Sequence, residues 1–266
     1  MKEHILSYLP KGHPWAEYVH YYPDTDSTNI RAKELASQGA PNGTVCIAGS
    51  QSDGKGRMGR SFHSPEGSGL YFSLILRPGC KPQELMHLTC AVAVAACDAV
   101  ETLCGSRPQV KWINDLVAGS KKLGGILTEL SVDTKTGLVN YAIIGIGINC
   151  LQNNGDFPEQ LQDIATSIRA AYGVFVSPAQ LAAQLIISLH TLSGNLLTNK
   201  DAIMTLYKKD CMTLGKQIRI VRGDEEFFAT ATDIDPDGGL IVKLADESLT
   251  TVSSGEVSVR GMYGYL

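Results

Sequence analysis

The chain has 266 residues, of which 44% are hydrophobic and 19% charged, so a folded protein with a sizeable core is predicted and general disorder is excluded. Its 23 basic and 27 acidic residues give a formal net charge of −4, which argues against a protein that holds nucleic acid through its overall field. The seven cysteines form no C-x-x-C pair, and the longest apolar run, residues 91–97, is too short to span a bilayer. A cytoplasmic protein with reduced thiols is predicted.

The first hundred residues alternate predicted strands with predicted helices. Strands are expected at residues 17–22, 44–50 and 70–76, and a loop rich in glycine, serine and arginine at 52–69. A helix begins after D-S-T-N at 26–29 and runs to about Gln38, where Gly39 stops it. A second helix covers 82–103, with Pro82 in its first turn.

After residue 108 the predicted secondary structure changes twice, from short strands to helices and then back to short strands. Short apolar segments predict meandering strands at 110–113, 116–118, 125–130 and 138–148, and helical patterns return at 165–171, 178–197 and 201–209. Five short strands with tight turns follow, at 217–221, 227–234, 240–244, 249–252 and 256–259, which is typical of a small β-barrel. The prediction is an α+β domain over residues 1–210 and a small β-barrel domain over 211–266.

Glycines alternate with cations in the predicted loop. Residues 54–60 read G-K-G-R-M-G-R and are called the glycine–cation loop below. Glycine lets the backbone approach an anion closely, and arginine grips phosphate or carboxylate with a planar fork. A solvated basic turn is the alternative at this point. The overlapping pattern G-x-x-x-x-G-K at 49–55 does not make a P-loop, because Gly56 stands where serine or threonine is needed.

Further motifs accompany the loop in a fixed order. They are D-S-T-N at 26–29, K-W-I-N-D-L at 111–116, G-G-I-L-T-E at 124–129 and G-I-G-I-N at 145–149. Together with the loop, this set resembles the biotin protein ligase family, whose members carry D-S-T-N, G-R-G-R-x-G-R, K-W-P-N-D-L, G-I-L-x-E and G-x-G-I-N. The sequence departs from that pattern at Lys55, where the family has arginine, at Met58, and at Ile113, where it has proline.

The resemblance implies a fold and an activity. The fold would be a mixed β-sheet catalytic domain of the biotin/lipoate ligase type, similar to class II tRNA synthetases, followed by the small β-barrel. The activity would be ATP-dependent formation of biotinyl-AMP with release of pyrophosphate, then transfer of biotin to a lysine of a biotin carboxyl carrier domain. That domain would belong to a biotin-dependent carboxylase or decarboxylase. Mg²⁺ would accompany ATP, held mainly by phosphates and water, and its protein ligands are not assigned.

The resemblance also implies roles for particular residues. A carboxylate must attack an α-phosphate, so cations have to hold two repelling anions together. Lys111 and Arg57 are the expected catalytic cations. The expected biotin-binding residues are Ser27, Thr28, Asn29, Gln51, Lys55, Gly56, Arg57 and Lys111. The expected ATP- and adenylate-binding residues are Lys55, Arg57, Arg60, Lys111 and Asn149. For Ser27 and Thr28, helix capping is an alternative that is compatible with ligand binding.

Three rival functions remain at this stage. A lipoate or octanoate ligase or transferase would share the fold, and a biotin-binding module would bind biotin without releasing pyrophosphate. A biotin-sensing repressor would need a DNA-binding domain, and the 25 residues before Asp26 are too few for one, so a form of the family without that domain is expected. We expect no DNA or membrane partner and either a monomer or a homodimer.

Overall fold

The main element of the protein is a seven-stranded mixed sheet. The computed structural model describes residues 1–222, 225–253 and 258–261. The strands are β1 (Val19–Thr25), β2 (Val45–Gln51), β3 (Gly69–Leu76), β4 (Gln109–Lys111), β5 (Asp115–Ala118), β6 (Lys121–Val132) and β7 (Val139–Asn149). Their order is β1-β2-β3-β7-β6-β5-β4; β1 and β2 run parallel, and all other neighbours are antiparallel. The predicted mixed sheet is confirmed.

The first strand runs three residues further than the sequence indicated. Its pairing with β2 continues to Asp24, which lies opposite Ser50, and to Thr25, which lies opposite Gln51. Pro23 does not interrupt the pairing because β1 is at the edge of the sheet, where a missing N–H is tolerated. Because β1 ends at Thr25, the D-S-T-N motif that follows it begins beside the end of β2.

Helices cover both faces of the sheet. They are α1 (Lys2–Tyr8), α2 (Thr28–Ser37), α3 (Leu88–Cys104), α4 (Glu159–Gln162), α5 (Ile168–Tyr172), α6 (Pro178–Asn195) and α7 (Lys200–Asp210). One face of the central strands packs on α2 through Cys46, Ile75 and Ile143, and the alternating residues belong to the main core under α3 and α6. The short helix α1 was not predicted; it buries Ile5 and packs against α6.

The apolar stretch Pro82–Cys104 is longer than the sequence analysis allowed. The stretch has 23 residues and contains an 18-residue window with a mean hydropathy of 1.4, so by length and composition alone it could cross a membrane. In the structure a turn of 3-10 helix at Pro82–Leu85 comes first, and α3 then packs against the sheet and α6 as a core helix. The two segments therefore replace the single predicted helix over 82–103.

All seven cysteines are free thiols, and six of them are buried. Cys90 and Cys97 are buried in the core on α3, and Cys104 is half-buried, so these three cysteines pack as small apolar residues. Burial raises the pKa of Cys46 and of Cys150 to about 12.

A second, smaller sheet follows α7. It contains β8 (Gln217–Arg222), β9 (Glu225–Ile234), β10 (Leu240–Lys243), β11 (Leu249–Val252) and β12 (Ser258–Gly261), and is called the C-terminal module below. Within the described residues its order is β11-β10-β9-β8-β12, with every pair antiparallel. The small all-β module that the turn pattern predicted is therefore present; residues 256 and 257 of its last predicted strand lie outside the described residues.

Candidate active site

A cavity of about 580 Å³ lies between the glycine–cation loop and one end of the main sheet. It collects nearly all of the residues that the sequence analysis selected. The predicted residues in its wall are Ser27, Thr28, Asn29, Gln51, Lys55, Gly56, Arg57, Arg60 and Lys111. These residues come from four separate stretches of the sequence, so the fold brings the D-S-T-N motif, the loop and the K-W-I-N-D-L motif to one place.

One end of the cavity is lined by buried neutral polar groups. The backbone N–H and the hydroxyl of Thr28 both donate to Oε1 of Gln51, at 2.8 and 3.1 Å. Ser73, which is fully buried, places its hydroxyl 2.8 Å from Thr28 Oγ1 and 2.6 Å from Asn29 Oδ1. Each group fixes the next, so this neutral end is organised before any ligand arrives.

The same network reaches the loop and the sheet. Gln51 donates through Nε2 to Ser64 Oγ at 2.9 Å, and Asn29 donates through Nδ2 to Glu129 Oε2 at 2.9 Å. Ser27 begins α2, but within the described residues its hydroxyl makes no capping hydrogen bond and lies in the cavity wall. The hydroxyl of Thr28 likewise makes no cap, because it donates to Gln51 Oε1. Capping, the alternative for these two residues, is not what their side chains do.

The glycines of G-I-G-I-N are required by close approach. A Cβ on Gly145 would lie 2.2 Å from Oδ1 of Asn29, and a Cβ on Gly147 would lie 2.6 Å from the ring of Phe62. Any side chain at either position would displace a cavity residue. The absence of side chains at these two glycines therefore leaves room for the cavity residues Asn29 and Phe62 to pack directly on strand β7.

The glycine–cation loop is folded over the cavity. Its two sides pair, with the Gly56 N–H donating to the Arg60 carbonyl at 2.7 Å and Lys55 lying opposite Ser61. Met58, at the tip, is 62% exposed and has a φ of 56°. Lys55 forms an ion pair with Asp53. The lysine that replaces the family's arginine therefore already has a partner, in the residue that directly precedes the loop.

Arg57 connects the loop to the far side of the cavity. Its Nη1 donates to Oδ1 of Asn114 at 2.8 Å, and Asn114 in turn donates through Nδ2 to Asp115 at 3.1 Å. Burial lowers the pKa of Arg57 and Arg60 lowers it further, whereas Asp115 opposes the shift. An arginine held here stays charged because its ordinary pKa lies far above neutral. The loop is thus fastened across the cavity by a cationic side chain.

A second lysine, Lys122 at the start of β6, also lines the cavity, and sequence reasoning missed it. Its Nζ lies 2.7 Å from Asp115 Oδ1. The Lys122 side chain passes over Gly125, and a Cβ at that glycine would lie 3.4 Å from Nζ. The signal that could have found it is its position two residues before the G-G-I-L-T-E motif. Lys111, at the end of β4, lies opposite Asp115 on β5.

Asn149 does not line the cavity. It is buried, donates through Nδ2 to the Thr166 carbonyl at 2.9 Å, and accepts from Gln152 at 3.4 Å. Residues 164–166 also pair with the backbone of Lys122, and Ile164 belongs to the cavity wall. Asn149 therefore supports a wall segment rather than facing the space itself.

The mixed sheet, the bare glycines and the loop with its three cations together form one cavity, whose wall contains both neutral polar and cationic side chains. The sequence profile of the biotin/lipoate A/B protein ligase family matches residues 21–149, and that of the biotin protein ligase C-terminal domain matches residues 213–260. The bifunctional ligase/repressor BirA of Bacillus subtilis is 34% identical over 97% of this chain and 79% of its own length. The chain belongs to the biotin/lipoate A/B protein ligase family, which confirms the resemblance.

Two further relatives show how far the likeness extends. The biotin–[acetyl-CoA-carboxylase] ligase of Mycobacterium tuberculosis is 28% identical over 88% of this chain and 85% of its own. The biotin protein ligase of Aquifex aeolicus, solved in complex with biotin and ATP, superimposes with a TM-score of 0.77 at 25% identity, covering 91% of this chain and 98% of that one. The likeness therefore includes the C-terminal module as well as the main sheet.

Proposed function

We propose that this chain is a biotin protein ligase that forms biotinyl-AMP from biotin and ATP in the described cavity and then transfers the biotinyl group to a lysine of a biotin carboxyl carrier domain. The match to the biotin protein ligase C-terminal domain and to the named biotin ligases confirms the ligase activity that the motifs predicted. The observation that carries the residue-level proposal is one cavity with a buried neutral end and a cationic end. Biotin has the same polarity, a neutral ureido ring and a carboxylate.

The neutral end is proposed to hold the ureido ring. That ring offers one carbonyl acceptor and two N–H donors, which hydroxyl and amide side chains complement. Ser27, Thr28, Asn29 and Gln51 supply such groups. The bonds from Thr28 to Gln51 and from Ser73 to Thr28 and Asn29 fix which atoms of these three residues can turn toward a ligand. A ligand ring without matching polar atoms would leave buried groups unpaired, at a cost of about 1–3 kcal/mol for each.

The cationic end is proposed to hold the two reacting anions. In the sheet order β6 lies three strands from β2 and β4 lies five, which is about 14 and about 24 Å at the usual strand spacing of ~4.8 Å. Lys122 on β6 thus lies nearer to the neutral end than Lys111 on β4. We therefore assign Lys122 to the biotin carboxylate and Lys111 to the α-phosphate, whereas the resemblance implied that Lys111 binds both biotin and ATP.

The chemistry consists of two displacements. A carboxylate oxygen of biotin attacks the α-phosphorus of ATP, and the bond to the β-phosphate oxygen breaks, so pyrophosphate leaves with that electron pair. The amine of the acceptor lysine then attacks the acyl carbon, loses a proton, and AMP leaves. Lys111, Lys122 and Arg57 favour the first step by holding the anions together and by stabilising the charge that develops on the phosphoryl oxygens.

The nucleotide is proposed to occupy the side of the cavity near Lys111, Arg60 and Lys55, with Asn149 acting through the wall segment that carries Ile164. Mg²⁺ would enter on the phosphates of ATP and supply charge neutralisation. Among the described residues no group of three acidic, histidine or cysteine side chains could hold a metal ion, and Asp115, in the cavity wall, is engaged by Lys122. We propose a metal held chiefly by phosphate and water, which is how Mg²⁺ usually accompanies ATP.

The domain division and the partners remain proposals of the same kind. Residues 1–210 would bind and activate biotin, and residues 211–266 would assist with ATP or the acceptor, because the biotin-contacting motifs all precede residue 150. We also propose a cytoplasmic enzyme, a monomer or a homodimer, whose partner is the carrier domain of a carboxylase or decarboxylase. We predict no sequence-specific DNA binding and no membrane partner; a gel shift with the protein's own promoter region, with biotin and ATP present, tests the former.

The test is a pyrophosphate-release assay with purified protein, ATP and either biotin or lipoate. We expect release with biotin and little with lipoate, whose dithiolane ring cannot satisfy the buried hydroxyl and amide groups. Release with lipoate only would favour the lipoate ligase alternative. Binding of biotin, seen as a raised melting temperature, without pyrophosphate release would instead favour a biotin-binding regulatory protein.

A further inference from the structure

The C-terminal module inserts one of its turns behind the active-site wall. The turn at residues 235–239 is closed on itself, since Oδ1 of Asp235 accepts from the backbone N–H groups of Asp237 and Gly239, at 2.9 and 2.8 Å. Gly238 has a φ of 90°, and a Cβ there would stand 2.9 Å from the sulfur of Cys90 in α3. This position therefore requires glycine, both for its conformation and for its close approach to the core of the main domain.

That turn holds Trp112 of the K-W-I-N-D-L motif. The indole Nε1–H of Trp112 donates to the Gly238 carbonyl at 2.9 Å, and Trp112 is only 4% exposed. Its backbone N–H donates to Thr213 Oγ1 at 2.9 Å, and the hydroxyl of the fully buried Tyr207 donates to the Ile113 carbonyl at 3.1 Å. The segment between Lys111 and Asn114 is thus held from behind by residues near and within the module.

Two ion pairs to α7 hold the turn and the end of β9 that leads into it. Lys200 Nζ lies 2.5 Å from Asp237, and Lys208 Nζ lies 2.8 Å from Asp233. Trp112 itself lines the cavity, with Lys111 on one side of it and Asn114 and Asp115 on the other. A displacement of the turn would therefore move the wall that carries the cationic end, and would leave the neutral end, built on β2 and α2, where it is.

We infer that Gly238 is a positioning residue for the nucleotide side of the active site, acting through its carbonyl on Trp112. The C-terminal module then contributes to catalysis through this one turn, without touching biotin. The inference rests on the proposed ligase function, because it assigns the cationic wall to ATP. If the inference is right, removal of the hydrogen bond between Trp112 and Gly238 should weaken the use of ATP and leave the affinity for biotin nearly unchanged.

The test is Trp112→Phe, which keeps an aromatic ring in the wall but removes the N–H donor. We expect the KM for ATP in pyrophosphate release to rise about five- to tenfold, while the Kd for biotin, measured by calorimetry without ATP, stays within twofold. Asp237→Ala, at a position 55% exposed on its side chain, should raise the KM for ATP two- to threefold without threatening the fold. Lys243→Ala is the matched control, because its ion pair with Glu247 lies in the same module at another turn.

The outcomes separate this inference from the proposed function. An unchanged KM for ATP in both Trp112→Phe and Asp237→Ala would overturn the positioning role while leaving the ligase intact. Equal losses in biotin affinity and ATP use, with a lower melting temperature, would also overturn it, because they indicate general destabilisation. If Trp112→Phe does not fold, Asp237→Ala against Lys243→Ala decides alone. Failure of the unmodified protein to release pyrophosphate would instead refute the proposed function.

Discussion

The two ends of the cavity are built from different kinds of interaction, although one sheet carries both. At the neutral end, Thr28, Asn29 and Ser73 are 3%, 5% and 0% exposed and are joined by hydrogen bonds without net charge. At the cationic end, the side chains of Lys122 and Asp115 are 31% and 19% exposed to solvent. Buried neutral groups discriminate by what they leave unpaired, whereas charges close to water act by attraction that salt screens. On the proposed assignment we therefore expect selectivity to depend on the neutral end and chemistry on the cationic end.

The largest expected effect is at Lys122. Lys122→Met keeps the length of the side chain and removes the charge that faces the reacting carboxylate, so pyrophosphate release should fall by about 10²–10³-fold, as when one charge-stabilising donor is lost from an active site. Biotin affinity should change far less, since the neutral end is untouched. Lys121→Met is the control, because Lys121 binds the Gln162 carbonyl outside the cavity. Equal activities of the two variants would assign no catalytic role to Lys122.

Lys111 should give the second-largest loss. Lys111→Ala removes the cation assigned to the α-phosphate at the edge of the sheet, and we expect pyrophosphate release to fall at least tenfold with an unchanged circular dichroism spectrum. The loss should be greatest at low ATP, because the lysine contributes to nucleotide binding as well as to the transition state. Activity within threefold of the parent would remove Lys111 from the catalytic set.

Arg57 tests whether the loop retains the intermediate. Biotinyl-AMP is a mixed anhydride and must be kept from water until the acceptor docks. Arg57→Gly removes the side chain that crosses to Asn114, so the adenylate should dissociate about tenfold faster, equivalent to ~1.4 kcal/mol, and label bystander albumin. Met58→Gly is the matched control: it loosens the same loop at an exposed position without removing a cation. Unchanged release from Arg57→Gly would separate the loop from retention.

The smallest effect is expected at the neutral end and should be indifferent to salt. Ser73→Ala removes the hydroxyl between Thr28 and Asn29, so biotin should bind about five- to tenfold more weakly, in line with ~1 kcal/mol for one buried hydrogen bond. Ser37→Ala, at the exposed end of α2, the helix that carries Thr28 and Asn29, should bind as the parent does. Raising the salt concentration should increase the KM for ATP but change the biotin Kd less than twofold; a parallel change would contradict the division into two ends.

Local patterns predicted much of this site because its motifs are short and continuous. The D-S-T-N turn, the glycine–cation loop and the K-W-I-N-D-L segment each carry their residue types within a few positions, and all three reach the cavity. Lys122 was missed because its place in the cavity wall follows from the packing of its side chain on Gly125, and its position two residues before the G-G-I-L-T-E motif was the one local signal for it. Asn149 was expected beside the nucleotide on the family resemblance alone; in the structure its side-chain amide donates to the Thr166 carbonyl.

The fold was predictable to a similar degree and for similar reasons. Apolar periodicity located the strands of the main sheet, whereas the short helix α1 has little periodicity and forms against α6. The end of β1 depended on parallel pairing with β2, which carried the strand past Pro23. Tertiary contacts set these boundaries, and local propensity alone could not.

The buried thiols give the enzyme a built-in reporter of its own opening. Cys104 is half-buried, while Cys90, Cys97 and Cys150 lie in the core with pKa values raised by burial. A maleimide should therefore modify Cys104 on a timescale of local fluctuation and the core cysteines only when the core opens. The fast and slow phases of labelling would then report local and global opening in a protein of unchanged sequence. Bound biotin with an ATP analogue should slow the second phase, because ligands that bind only the folded state stabilise it by mass action.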